Sequence, residues 1–295
     1  MPHTLAHYAL QGPASRLLFG NVDPRWVMIG CVIPDLPWIL QRLARGALTG
    51  VDPYSLRLYF FAQSSLLVSL VLCAACAALT RHPRSLFLLL GFNTLAHLLL
   101  DACETKWGNG VLILAPFSWT LWNVGFFWPE QPLFYLLLTG LGLLFVAWVW
   151  RHGLWDRLEL LWQRWPIAVG LLILYLILPL ALVPSAYEAD LQHAKTLKEE
   201  LLGQAVAFDR ERYDGELRPW NRKAYVLDQE VAEVDGPVSL QGTLAADNVI
   251  VVEQLHVHSG SSREIPSYVG LAILAAALGV GAFRVRHPQA RSKRR

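Results

Sequence analysis

The sequence predicts a mostly α-helical, polytopic membrane protein with five or six spans, the first of them broken. A small extracytoplasmic α+β or β-rich domain is expected before the last span. Three observations carry this. Hydrophobic residues make up 54% of the 295 positions and charged residues only 16%, a balance typical of chains that face lipid rather than water. Stretches 58–79, 85–101, 132–150, 166–184 and 267–283 each approach the roughly 20 apolar residues that a helix needs to cross a bilayer. Between the last two of these the composition turns charged and the apolar residues begin to alternate.

Taken in order, residues 1–130 form a first membrane unit, 131–186 add further transmembrane helices, 187–265 make the soluble domain, and 266–295 supply the final span with a basic tail. Residues 3–20 are moderately apolar and carry His3 and His7 at i, i+4. That spacing brings both rings to one helical face, and an interfacial amphipathic helix with solvated histidines is expected. Residues 26–40 are apolar but hold Pro34-Asp35-Leu36-Pro37, where each proline removes a donor and restricts its predecessor. A broken span follows, with Asp35 an acid at membrane depth.

Basic residues gather at Arg81 to Arg84, along 151–164 and in the tail, which places those segments in the cytoplasm. The opposite ends, including the loop before Pro132 and the 187–265 domain, then lie outside. Arg42, Arg45 and Arg57 fall outside too, against that rule. The loop 117–128 is dense in aromatics suited to the headgroup level. In the outer domain a helix is expected over 187–203 and strands over 224–234, 238–244 and 249–257. His256 and His258 share a strand face by the period of two, a spacing that permits metal binding, although a solvated face is the expectation.

A net charge of +2 gives no footprint for nucleic acid, and none is expected as a partner. Cys31, Cys73 and Cys76 lie in apolar segments as packing residues, and Cys73-x-x-Cys76 has no second pair to make a zinc knuckle. The opening residues lack a basic region followed by an apolar core and cleavage site, so no removed signal peptide is expected.

The chemistry concentrates in 91–119, GFNTLAHLLLDACETKWGNGVLILAPFSW. On a helix His97, Asp101 and Glu104 stand at i, i+4 and i+7, converging on one face before a loop at Trp107-Gly108-Asn109-Gly110. Ionisable groups at this depth face a polar cavity or a partner, so the trio marks a functional site.

Together with Thr4 to His7 and the Gly30 to Asp35 block GCVIPD, this stretch resembles the membrane-bound metal-dependent hydrolases, also described as inner-membrane-associated hydrolases. The resemblance covers about the first 120 residues. It implies a multi-pass inner-membrane protein in which His7, Asp35, His97 and Asp101 form a metal site. One departure stands out: Ser64 occupies a place where that family commonly has a histidine.

Imidazole and carboxylate ligands suit zinc, with manganese or iron admitted by the carboxylates. A metal so held activates water toward an ester or phosphoester. Glu104 is then the candidate catalytic base or a partner of the ligands, and the location favours a membrane lipid or lipid-linked substrate. A non-catalytic membrane scaffold or binding protein with a degenerate metal site is the alternative, followed by a transporter. Oligomeric state is not legible.

Overall fold

The computed structural model describes residues 3–48, 50–153, 160–229, 236–258 and 264–284. The basic tail beyond residue 284, part of the 151–164 loop and the end of the expected strand 224–234 lie outside the described residues. The described residues are mostly helical, with one small sheet among them.

Helix starts follow local rules. In α1 (Thr4–Phe19) His3 caps the first turn, its Nδ1 accepting from Ala6 N–H at 3.1 Å. In α2 (Pro24–Val32) Asp23 accepts from Arg25 N–H, and proline opens the first turn, where its missing donor costs nothing. The same device opens α4 (Pro53–Gln63), capped by Asp52, and α6 (Pro83–Ala102) and α7 (Pro132–Arg151) also start on proline. The remaining helices are α3 (Leu36–Ala47), α5 (Leu66–Ala78), α8 (Trp165–Glu188), α9 (Ala194–Glu199) and α10 (Ile265–Arg284).

Among the described residues four helices are long and apolar enough to cross a membrane: Pro24–Ala47, Pro83–Ala102, Pro132–Arg151 and Trp162–Glu188. A fifth exists if α4 and α5 count as one span, and Ile265–Gly279 is a shorter apolar helix. The break expected in the first span falls elsewhere. Pro34 lies in a single 3-10 turn, Ile33–Asp35, and Pro37 falls in the first turn of α3, where its missing donor costs nothing, so α2 and α3 together make one candidate span. The sharp bend, 61°, separates α4 from α5. Its cause is the Ser64-Ser65 pair: the hydroxyls donate to Phe61 O (2.9 Å) and Ala62 O (2.6 Å), taking carbonyls that a continuing helix would use.

α1 is no interfacial helix. It packs on α7, α2 and α10, and His3 and His7 are buried. Leu5, Tyr8, Met28, Leu90, Phe145 and Val149 form the core between these helices. Close approach is built in at Gly30, where an added Cβ would stand 2.8 Å from Asn93 Cβ and push α2 off α6.

The expected helix over 187–203 divides. α8 runs through Pro184 to Glu188, the backbone turns left-handed at Asp190, and α9 is a separate short helix. The sheet has the order β2-β1-β4-β5-β3, with β1 (Ala205–Tyr213), β2 (Leu217–Arg218), β3 (Val226–Leu227), β4 (Gly236–Leu244) and β5 (Val249–Val257). β4 is antiparallel to β1 and β5, while β3 runs parallel to β5. β4 and β5 match expectation, whereas β1, rich in charge along Asp209-Arg210-Glu211-Arg212, escaped it.

One apolar core joins the sheet to the helices. Tyr54, Phe61 and Ala186 pack with Val206, Phe208, Leu240 and Ile250. Arg57 spans the same junction: its guanidinium donates to Gln41 Oε1 (3.2 Å) and Gln192 Oε1 (3.0 Å) and lies over the Trp38 and Phe61 rings. The sheet thereby sits directly over the helix ends that carry the site.

Candidate metal centre

Three segments meet below the sheet and supply four residues. α1 supplies His7, the 3-10 turn supplies Asp35, and α6 supplies His97 and Asp101 one turn apart. The two imidazoles stack face to face, with centroids 3.7 Å apart and planes 3° from parallel. His7 Nε2 lies 3.5 Å from Asp101 Oδ1; His97 Nε2 lies 3.7 Å from Asp101 Oδ2 and 3.4 Å from Asp35 Oδ1. His7, His97 and Asp101 each offer one ligand atom within 4.8 Å of the other two, and Asp35 joins through its approach to His97.

These separations exceed a good hydrogen bond. A tetrahedral ion with bonds of about 2.1 Å holds its ligands about 3.4 Å apart. His7 Nε2, His97 Nε2, Asp35 Oδ1 and Asp101 Oδ1 are all buried and make no hydrogen bond, an arrangement costly for four polar atoms unless a cation satisfies them.

The far side of each ring is fixed. His97 Nδ1 donates to Cys31 O at 2.6 Å, a carbonyl from the last turn of α2. His7 Nδ1 lies 3.0 Å from the Gln11 side-chain amide. With its oxygen toward His7, that amide also donates to Asn93 Oδ1 at 3.0 Å and satisfies both its ends. Each Nδ1 then carries the proton, and each Nε2 presents a lone pair inward. Such outer partners set tautomer and ring angle at metal sites.

The set opens on a cavity of about 430 Å³ between helices and sheet. Asp35, Ser64, Asp101 and Lys106 line its lower wall, and Arg45, Arg57 and Glu211 line it further out. The arginines that contradict the positive-inside rule thus face this cavity. Burial raises the half-buried Glu211 carboxyl to about 7, with the Arg57 and Arg45 guanidiniums opposing the shift. Ser64, the departure noted in the sequence, reaches the cavity beside the metal candidates.

Glu104 departs from the expected helical face. α6 ends at Ala102, and Glu104 instead bridges to Phe127. It is buried, with Oε2 3.4 Å from Lys106 Nζ. Lys106 in turn lies 3.7 Å from Asp101 Oδ2 and donates to Asp101 O at 3.0 Å. The lysine, Gln11 and the Cys31 carbonyl were not anticipated. Gln11 alone left a signal, standing at i+4 from His7.

His256 and His258 also differ from expectation. Rather than facing solvent, both meet Glu130, and His258 is buried. Burial would raise the Glu130 carboxyl, but hydrogen bonds from His258 and His256 outweigh it and hold the group well below the usual carboxylate range.

The fold and centre so far define a helical chain with a buried His/Asp grouping suited to a divalent cation. No protein-family model, curated protein or solved structure matches the chain.

Proposed function

We propose that the chain is a multi-pass inner-membrane hydrolase that holds a divalent metal, zinc before manganese or iron, through His7, Asp35, His97 and Asp101. Its substrate is a lipid or lipid-linked molecule with an ester or phosphoester bond. The observation that carries this reading is the set of four buried ligand atoms that face one another without hydrogen bonds. The same four positions are those implied by the resemblance to the membrane-bound metal-dependent hydrolases.

When bound, the metal supplies Lewis acidity, lowering the pKa of a water and polarising the scissile group. The chain's own groups do the rest. His97 and His7 are held as neutral lone-pair donors by Cys31 O and Gln11. Lys106 sets a positive charge next to Asp101 and the cavity, where negative charge develops on an attacked ester or phosphoester. Glu104 acts through Lys106 as a positioning residue rather than as the base. Arg45 and Arg57 offer donors to an anionic headgroup, and the apolar helix faces accept acyl chains.

The test is turnover of fluorogenic carboxyl-ester and phosphoester lipids in mixed micelles by protein purified in mild detergent. Metal-dependent hydrolysis of one class, lost on chelation and in His97→Ala, supports the reading. Turnover that survives both contradicts it. A folded, metal-loaded chain inert toward both classes favours the non-catalytic binding protein.

A further inference from the structure

A second histidine and carboxylate group lies on the outer face, independent of the first. β5 places His256 and His258 two residues apart on one side of the sheet. Glu130, from the loop before α7, reaches across to both. Its Oε1 is 2.7 Å from His256 Nε2 and 2.9 Å from His258 Nδ1, and one ligand atom from each residue lies within 4.8 Å of the others. We infer that Glu130, His256 and His258 form a second divalent-cation site, suited to zinc, that clamps the Glu130 loop to the sheet.

The ligand chemistry fits. Two imidazoles and one carboxylate make a three-ligand zinc set with a fourth position left for water or a further group. The surroundings fit as well. Arg210 Nη1 donates to Glu130 Oε2 at 3.0 Å, which leaves Oε1 to the histidines. His256 is stacked on Trp128 with centroids 3.7 Å apart and planes 3° from parallel, while Trp128 also meets the edge of His258, so both ring orientations are set.

Behind His258 stands a hydroxyl that serves either tautomer. Ser239 Oγ lies 2.7 Å from His258 Nε2 and 3.2 Å from Asp209 Oδ1, and accepts from Arg210 N–H at 2.9 Å. With His258 protonated on Nδ1, Ser239 donates to Nε2. With a cation on Nδ1, the ring proton moves to Nε2, Ser239 accepts it and donates to Asp209 instead. No polar atom is stranded in either state. The cation then stands in place of the ring protons now shared with Oε1, and Oε1 moves about 0.5 to 0.7 Å away from each ring nitrogen to reach tetrahedral spacing.

The test uses the wild-type chain in detergent, with diethyl pyrocarbonate as the probe and mass spectrometry of the peptide holding His256 and His258. Zinc is expected to suppress carbethoxylation of both histidines several-fold relative to chelated protein. The isosteric Glu130→Gln is expected to weaken that protection while leaving zinc bound at His97. Equal modification with and without zinc in the wild-type chain overturns the inference, whatever happens at the inner centre. Protection that persists undiminished in Glu130→Gln overturns it too.

Discussion

The two histidine and carboxylate groups contain the same chemistry in different states of closure. At the inner group the ring nitrogens stand 3.4 to 3.7 Å from the carboxylates and make no hydrogen bond to them. At the outer group the corresponding distances are 2.7 and 2.9 Å, and the carboxylate is also held by Arg210. Support explains the difference. Inner ligands are carried on mutually packed helices and the 3-10 turn between two of them, whereas Glu130 lies on the loop before α7 and reaches its strand through side chains alone. The inner spacing is the one a proposed tetrahedral ion would need, while the outer spacing is that of direct hydrogen bonds.

That contrast predicts graded effects. Removing an inner ligand is the largest: His97→Ala or Asp101→Ala should take hydrolysis to background with the membrane helices intact, read as activity beside circular dichroism. Next comes the outer support of the rings. Gln11→Ala should weaken inner metal affinity by about 10- to 100-fold without unfolding, measured by competition with a chelating dye. Ser239→Ala should lower zinc protection of His258 by less, because a loop-borne site can readjust.

Gly30→Ala probes the scaffold itself. The added methyl meets Asn93 Cβ, and the chain should lose about 1–3 kcal/mol on thermal unfolding in detergent. If melting is unchanged, α2 and α6 are not as closely set as the inner spacing requires.

The smallest effect concerns pH. Glu211 keeps its proton in the folded chain up to about 7, above the ordinary glutamate value it has when unfolded. Between those values the unfolded chain binds fewer protons, so stability falls as pH rises toward 7 and levels off above it. The shift in melting temperature should be on the order of a few degrees, and Glu211→Gln should remove the slope. A slope unchanged in that variant would mean the cavity arginines already neutralise the group.

Much of this architecture is legible in the sequence, for physical reasons that also mark the failures. Long apolar runs and proline starts identify α6, α7 and α8 because both act locally. The i, i+4 spacing of His97 and Asp101 fixes their shared face in the same way. What could not be read depends on partners far along the chain. Ser64 and Ser65 bend a span that composition makes continuous, while Pro34 fails to break one because a 3-10 turn accommodates it. His7 is buried because α7, α2, α10 and α6, whose His97 stacks on its ring, surround α1. Glu104 left the helical face because α6 ends two residues before it, and no local signal tied Glu130 to a strand more than a hundred residues away.

The central claim is that the inner four residues hold a metal. Elemental analysis of chelator-free protein in mild detergent, wild type beside His97→Ala and Asp101→Ala, tests it most directly. The account predicts that each folded variant carries about one divalent ion fewer per chain than the wild type. Equal metal content in all three folded proteins would contradict it.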